Sequence, residues 1–396
     1  MKLAVVKERR PHERRVAASP DTIRRMAGMG LDLIVETGAG AAASFTDAAY
    51  ETAGATIAPD AAAALADADL VLKVQRPLRG EGGIDELHLI KRGAVLIGLL
   101  QPLQAAAEVE AYAAAGVTAF AMELIPRITR AQAMDVLSSQ ANLAGYKAVL
   151  DAAGEFGRAF PMMMTAAGTI KAARVLVMGA GVAGLQAIAT ARRLGAIVSA
   201  TDVRAAAKEQ VESLGATFLT VDEQASRSAE TAGGYAREMG EDYQRRQREK
   251  VTEALRRTDV AICTALVPGR PAPVLITHAM LAGMVPGSVI VDLAVEAGGN
   301  VEGSRPDEVI TTPHGVTILG HLNVPSRIPV DASQLYARNL LALINLLIDK
   351  DGALRIDMSD EIVKAALLTI DGAVVNPAFA PAATAATAEV SASRSC

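Results

Sequence analysis

Residues 174–196 read RVLVMGAGVAGLQAIATARRLGA, and this stretch decides the fold. Arg174–Met178 is an apolar run of strand type. Gly179, Gly181 and Gly184 follow at G-x-G-x-x-G spacing, and Val182–Leu194 continues as a helix. Ile197–Thr201 reads as the next strand, closed by Asp202 eighteen residues beyond Gly184. Strand, glycine turn, helix, strand and acid in this order form the context of a dinucleotide-binding βαβ unit. Gly179 permits the tight turn. Gly181 lets backbone N–H groups approach a pyrophosphate, and the helix start adds partial positive charge. Gly184 permits close packing of helix on strand. Asp202 offers acceptors to the adenosine ribose hydroxyls and repels a 2′-phosphate, which argues for NAD(H) over NADP(H). Arg204, two residues on, pulls the other way, because a nearby guanidinium can accommodate that phosphate. Val182 and Leu266 complete the candidate dinucleotide contacts. An α/β turn that holds no ligand is the competing reading.

The same alternation extends outward. Thr217–Val221, Val260–Cys263, Val289–Leu293 and Val309–Thr311 read as further strands of this series. Upstream, Lys2–Lys7, Leu31–Glu36, Leu70–Val74 and Ala94–Leu99 read as strands of an earlier one, with Asp60–Ala66 and Ala105–Ala115 helical between them. Ser19-Pro20-Asp21 opens a helix, with Ser19 as N-cap and Pro20 at the first helical position. Strands alternating with helices predict an α/β fold with parallel sheets. Arg130–Glu155 predicts a long helix bridging two domains, and Asp331–Asp349 another that returns to the first. The predicted organisation is two Rossmann-like domains, residues 1–136 with 330–378 and residues 137–329, linked by long helices. The Ala/Thr/Ser/Pro-rich end, 379–396, reads as a disordered tail.

At 396 residues the chain is too long for one ordinary core. A hydrophobic fraction of 51% against 21% charged residues fits a globular protein. The net charge of −5 disfavours a nucleic-acid partner, which needs a basic face. Cys263 and Cys396 cannot build a disulfide framework, so a reducing compartment fits. The start, MKLAVVKERRPHERR, turns from apolar to charged too soon for a signal peptide. No membrane span is expected, since the longest uncharged stretch, Pro271–Val291, is broken by prolines and glycines. His12, His88, His278, His314 and His321 stand singly, without metal-ligand spacing, and no metal site is expected.

Asp222–Lys250 holds thirteen charged residues and no Leu, Ile or Val. It reads as a lid over a nucleotide, with Gly233-Gly234 as hinge and Tyr235 as capping aromatic, or as a solvated charged helix.

Several stretches, in this order, are similar to the NAD(H)-binding domain I of proton-translocating NAD(P)+ transhydrogenase, a family related to alanine dehydrogenase. They are KERRPHERRVAASP (7–20), ETGAGAAASFTDAAYETAGA (36–55), RITRAQAMDVLSSQANLAGYKAV (127–149), VMGAGVAGLQAIATARRLGA (177–196), TALVPGRPAPVLIT (264–277), MVPGSVIVDLAVEAGGN (284–300) and GHLNVPSRIP (320–329). The resemblance reaches to about Pro377. It implies a homodimer that binds NADH and passes a hydride directly to NADP+ held on a partner subunit. A separate membrane subunit would couple the transfer to proton movement, with this chain on the cytoplasmic side of a bacterial inner membrane. It also implies that the charged insertion is a mobile lid with Tyr235 on the nucleotide. Arg127 would hold the nicotinamide carboxamide, Asp135 and Ser138 the nicotinamide ribose, and Gln132 would reach toward the NADP(H) ribose. From the residues alone, this cluster is only a polar segment that opens a helix.

An amino-acid dehydrogenase must move a proton as well as a hydride, and so needs a general acid or base. Alanine dehydrogenases take it from a Lys in a VKVKEP-like strand and a His in an LHLA-like strand. Here LVLKVQRP places Gln75 at the first position, and VLIGLLQPL places Gln101 at the second. Neither amide titrates near neutral pH. Arg15, which would hold a substrate carboxylate, remains, and Glu296 stands where that family has Asp. Hydride exchange between two nicotinamides requires no such proton. A stand-alone dehydrogenase and a nucleotide sensor without catalysis stay as rival readings.

Overall fold

The computed structural model describes residues 1–204, 206–220, 241–267, 269–349 and 352–380. Contacts group the chain into two units, one of Met1–Leu137 with the residues from Pro329 onward, the other of Ser138–Ile328.

The first unit begins with β1 (Lys2–Val5), β2 (Asp32–Glu36), β3 (Ala55–Ala58), β4 (Leu70–Gln75), β5 (Val95–Leu99) and β6 (Thr118–Ala121). Helices fill the gaps between strands. The Pro20–Gly28 helix starts as expected, with Ser19 and Thr22 capping each other reciprocally. β4 is buried along LVLKV, as a strand covered on both faces must be.

In the second unit a short antiparallel hairpin, β7 (Met163–Thr165) and β8 (Gly168–Ile170), precedes the main sheet. The sheet is built from β9 (Arg174–Met178), β10 (Ile197–Thr201), β11 (Thr217–Phe218), β12 (Val260–Cys263), β13 (Val289–Asp292), β14 (Val309–Thr311) and β15 (Thr317–Leu319). Their order is β11-β10-β9-β12-β13-β15-β14, parallel except for β14 against β15. β14 was expected to continue the parallel series. It cannot, because the link to β15 is a tight turn closed by Thr312 N–H donating to the Val316 carbonyl at 2.8 Å, far too short for a crossover.

The chain then returns to the first unit through the Pro329–Leu347 helix and adds β16 (Leu367–Ile370) and β17 (Ala373–Val374). Among the described residues the first sheet runs β17-β16-β6-β5-β4-β1-β2-β3, parallel except where β16 pairs antiparallel with β6 and with β17. Leu340, Leu343, Ile344 and Leu347 join Leu3, Val5, Leu70 and Leu72 in one core. Each such buried aliphatic stabilises the unit by about 1.5–3 kcal/mol.

The long helix expected from Arg130 is shorter. Thr129–Met134 is a 3₁₀ segment, Asp135 breaks it, and the α-helix runs Val136–Glu155. The cause is tertiary. The Ala133 carbonyl accepts a 2.7 Å bond from Asn339 Nδ2. Arg130 forks onto Asp360 at 2.6 and 3.0 Å. A continuous helix would need that carbonyl for its own ladder. The strand expected over Thr217–Val221 stops at Phe218. From Glu241 the charged insertion is helix, Glu241–Leu255, while residues 222–240 with Tyr235 lie outside the described residues. The expected tail also lies outside them, except for Phe379 and Ala380, whose N–H groups donate to the Asn376 carbonyl at 3.0 and 2.9 Å. No helix among the described residues is long and apolar enough to cross a membrane.

Candidate dinucleotide site

β9, β12 and β13 run parallel and end together, and the glycine turn sits at that carboxyl edge, where open α/β sheets hold ligands. Gly179 has φ +100°, a conformation that side chains resist, and a Cβ there would meet Thr264 Oγ1 at 2.6 Å. Its N–H donates to the Thr201 carbonyl at 2.9 Å, and the Thr264 hydroxyl donates to its carbonyl at 3.0 Å. A Cβ on Gly184 would come within 1.8 Å of that same carbonyl oxygen, so only glycine lets the helix lie this close to the turn. Gly181 differs. A Cβ there meets nothing within 4 Å, and this glycine starts the Val182–Arg193 helix without a side-chain cap. The space beside Gly181 is therefore open at the positive end of a helix that no side chain caps, which fits a pyrophosphate. Gly145, inside the Val136–Glu155 helix, is equally constrained. Its Cβ would lie 2.0 Å from the Ala183 carbonyl oxygen, at the start of the same helix.

Asp202 lies beside this turn. Its Oδ2 accepts the Ala180 N–H at 2.7 Å and its Oδ1 the Arg204 N–H at 2.8 Å. The Arg204 guanidinium covers the remaining acceptor positions at 2.9 and 2.8 Å. Burial alone would raise the carboxyl's pKa, but Arg204 and the two backbone donors hold it below the usual range. A carboxylate has about four acceptor sites and all are engaged, so ribose hydroxyls would take the place of the guanidinium. Val182 and Leu266 leave apolar surface exposed near the turn, 38% and 49% respectively. The structure thus gathers Gly179, Gly181, Val182, Gly184, Asp202, Arg204 and Leu266 at one edge of the second unit. Arg127, Gln132 and Asp135 belong to the first unit, on and around the 3₁₀ segment, and Ser138 opens the second.

Residues 4–144 match the N-terminal domain, and residues 148–377 the C-terminal domain, of the family described as alanine dehydrogenase/PNT. The chain belongs to the alanine dehydrogenase/PNT family. It is 60% identical, over 96% of its length and 99% of the other's, to an NAD(P) transhydrogenase subunit alpha chain of Rhodospirillum rubrum. The crystal structure of transhydrogenase from Sinorhizobium meliloti is similar to it at a TM-score of 0.84 and 51% identity, covering 95% of this chain and all of that one. An L-alanine dehydrogenase structure is similar at 0.79 and 26%, covering 96% and 98%.

The alanine dehydrogenase/PNT chain carries a second polar group, at the carboxyl edge of the first sheet. Gln75 ends β4, and Gln101 lies two residues beyond the end of the neighbouring β5, whose Leu99 pairs with Gln75. Arg15 is buried and held by Glu13 at 2.8 and 2.6 Å, and Gln75 Nε2 donates to Glu13 at 2.9 Å. A carboxylate of the chain itself therefore sits on the arginine that a substrate carboxylate would use. Gln101 takes the left-handed φ of 52°, with its N–H bonded to Glu123 and its side-chain carbonyl to Arg76.

Beside the two amides, which do not titrate, Glu123 accepts the Gln101 N–H and does titrate near neutral pH. Burial pushes its carboxyl up to about 7, against backbone N–H bonds that pull it down. Its Oε2 is sealed from solvent and has no hydrogen-bond partner among the described residues. The ionised form therefore destabilises the fold, and the sign follows from the raised folded pKa. The cost is absent below about 4.5, grows as pH rises to about 7, and is constant above. Glu123→Gln is expected to gain about 1 kcal/mol at pH 8 and nothing at pH 4, as read by urea melts at both.

Proposed function

We propose that this chain is the NAD(H)-binding subunit of a proton-translocating NAD(P)+ transhydrogenase. It would act as a homodimer at the cytoplasmic side of a bacterial inner membrane, with a membrane subunit and an NADP(H)-binding subunit as partners. NADH supplies the hydride, and NADP+ on the partner receives it. The observation that carries the reading is the pairing of a complete dinucleotide turn with a disabled substrate edge, where Gln75 and Gln101 replace proton donors and Glu13 occupies Arg15. Gly179, Gly181, Val182 and Gly184 would cradle the pyrophosphate, Asp202 and Arg204 the adenosine ribose, and Leu266 and Tyr235 would cover the nucleotide. Arg127 would hold the nicotinamide carboxamide, Asp135 and Ser138 its ribose, and Gln132 would face the NADP(H) ribose. Self-association is supported by the β7–β8 hairpin, where Met162 and Met164 are 62% and 80% exposed.

Direct transfer tests this. Purified chain should bind NADH and oxidise it only after an NADP+-loaded partner subunit is added. NADH oxidation with pyruvate and ammonia by the chain alone would establish a dehydrogenase instead. Binding with no exchange in the presence of the partner would establish a sensor.

A further inference from the structure

Asn300 has no role in the reading above, yet every hydrogen-bonding group it owns is used at the carboxyl edge of the second sheet. β12 and β13 end side by side at Cys263 and Asp292. Asn300 stitches together the two loops that follow. Its side chain brackets one residue of the first loop, with Nδ2 donating to the Ala265 carbonyl at 2.9 Å and Oδ1 accepting the Ala265 N–H at 3.0 Å. Nδ2 also donates to the Pro273 carbonyl at 2.8 Å. The Asn300 carbonyl accepts the N–H groups of Leu275 and Ile276 at 2.8 and 3.0 Å. Its own N–H donates to both oxygens of Asp292, at 3.1 and 3.0 Å. Asp292 and Asn300 are fully buried. Asp292 in turn gathers the N–H groups of Ala294 and Val301 at 3.0 and 3.3 Å.

This chain of bonds ends on the glycine turn. Ala265 follows Thr264, whose hydroxyl bonds the Gly179 carbonyl at 3.0 Å, and precedes Leu266, which is half exposed. We propose that Asn300, seated by Asp292, is a positioning residue for NAD(H). It fixes residues 264–266 as the wall of the dinucleotide crevice. The proposal rests on the NAD(H) reading of the turn. Without the bracket, the Ala265 amide and carbonyl must find water, and the wall is ordered only when nucleotide arrives. That ordering cost is subtracted from affinity.

The test is NADH fluorescence titration of wild type, Asn300→Ala, Asn300→Asp and Ile318→Ala, each at a temperature where circular dichroism shows it folded. Ile318 is buried on β15, two strands from β12, and serves as the control for lost stability alone. Asn300→Ala should weaken NADH binding about tenfold or more, while Ile318→Ala stays within about twofold of wild type. Asn300→Asp should bind poorly at pH 8 and recover several-fold at pH 6. Protonation restores one donor beside one acceptor and removes a charge next to Asp292. If Asn300→Ala does not fold, the Asp variant's pH series decides. Wild-type affinity in the folded Asn300 variants, or an equal loss in Ile318→Ala, overturns the proposal. A wild-type chain that fails to bind NADH overturns instead the nucleotide reading beneath it.

Discussion

Gly184→Ala is expected to bind NADH about 10–100-fold more weakly than wild type and to melt earlier. The added methyl would stand 1.8 Å from the Gly179 carbonyl oxygen, and both atoms belong to backbone that cannot swing aside. Either the helix lifts from the turn or the turn opens, and overpacking of this kind costs about 1–3 kcal/mol. Gly181→Ala separates the two consequences. Its methyl meets nothing within 4 Å and its backbone is extended, so the melting temperature should hold. The same methyl projects into the space at the helix start, so affinity should fall. Calorimetric titration with NADH beside thermal melts of both variants reads the difference. Full-strength binding by Gly184→Ala would remove the turn from the site.

Lys73→Met should be the most destabilising single change in the first unit. Lys73 is 1% exposed inside β4, with Nζ 2.8 Å from Glu86 and 3.4 Å from Glu8, themselves buried. Methionine fills the volume and leaves those carboxylates short of their cation. Removing one partner of a buried ion network costs about 3–5 kcal/mol. For a unit of this size that lowers the melting temperature by roughly 10 °C. Adding Glu86→Gln should restore part of the loss by removing a buried charge left with only the 3.5 Å ion pair to Arg9, and a double-mutant cycle measures it. Stability unchanged in Lys73→Met would mean that water already serves Glu86 and Glu8.

What the sequence revealed was local. The glycine turn, the Ser19 cap and the strongly apolar strands β4, β5, β9 and β12 carry their reasons within a dozen residues. Their structural partners do not. β3 and β6 read ATIA and TAFA, too rich in alanine to stand out as strands, and are held by pairing with β2 and β5. β16 pairs with β6 across about 250 residues, so nothing near Leu367 announces it. Nothing near Gly145 shows why glycine stands there, because the carbonyl that demands it belongs to Ala183. The break at Asp135 depends on Asn339 and Asp360. Asn300 and Glu123 escaped for the same reason, since each acquires its chemistry from backbone groups brought to it by folding. The sequence placed Asp202 correctly at the end of its strand, with no sign that Arg204 lies across it.

The first unit is assembled from both ends of the chain, and this orders events during synthesis. Its core needs the Pro329–Leu347 helix, whereas Ser138–Ile328 is contiguous. At translation rates of about 5–20 residues per second, the nascent N-terminal sheet waits on the order of 10–40 s for that helix to leave the ribosome. The contiguous half can mature in the interval. The other half must meanwhile keep an unsealed apolar face from its neighbours, which makes it the portion with most to gain from a chaperone.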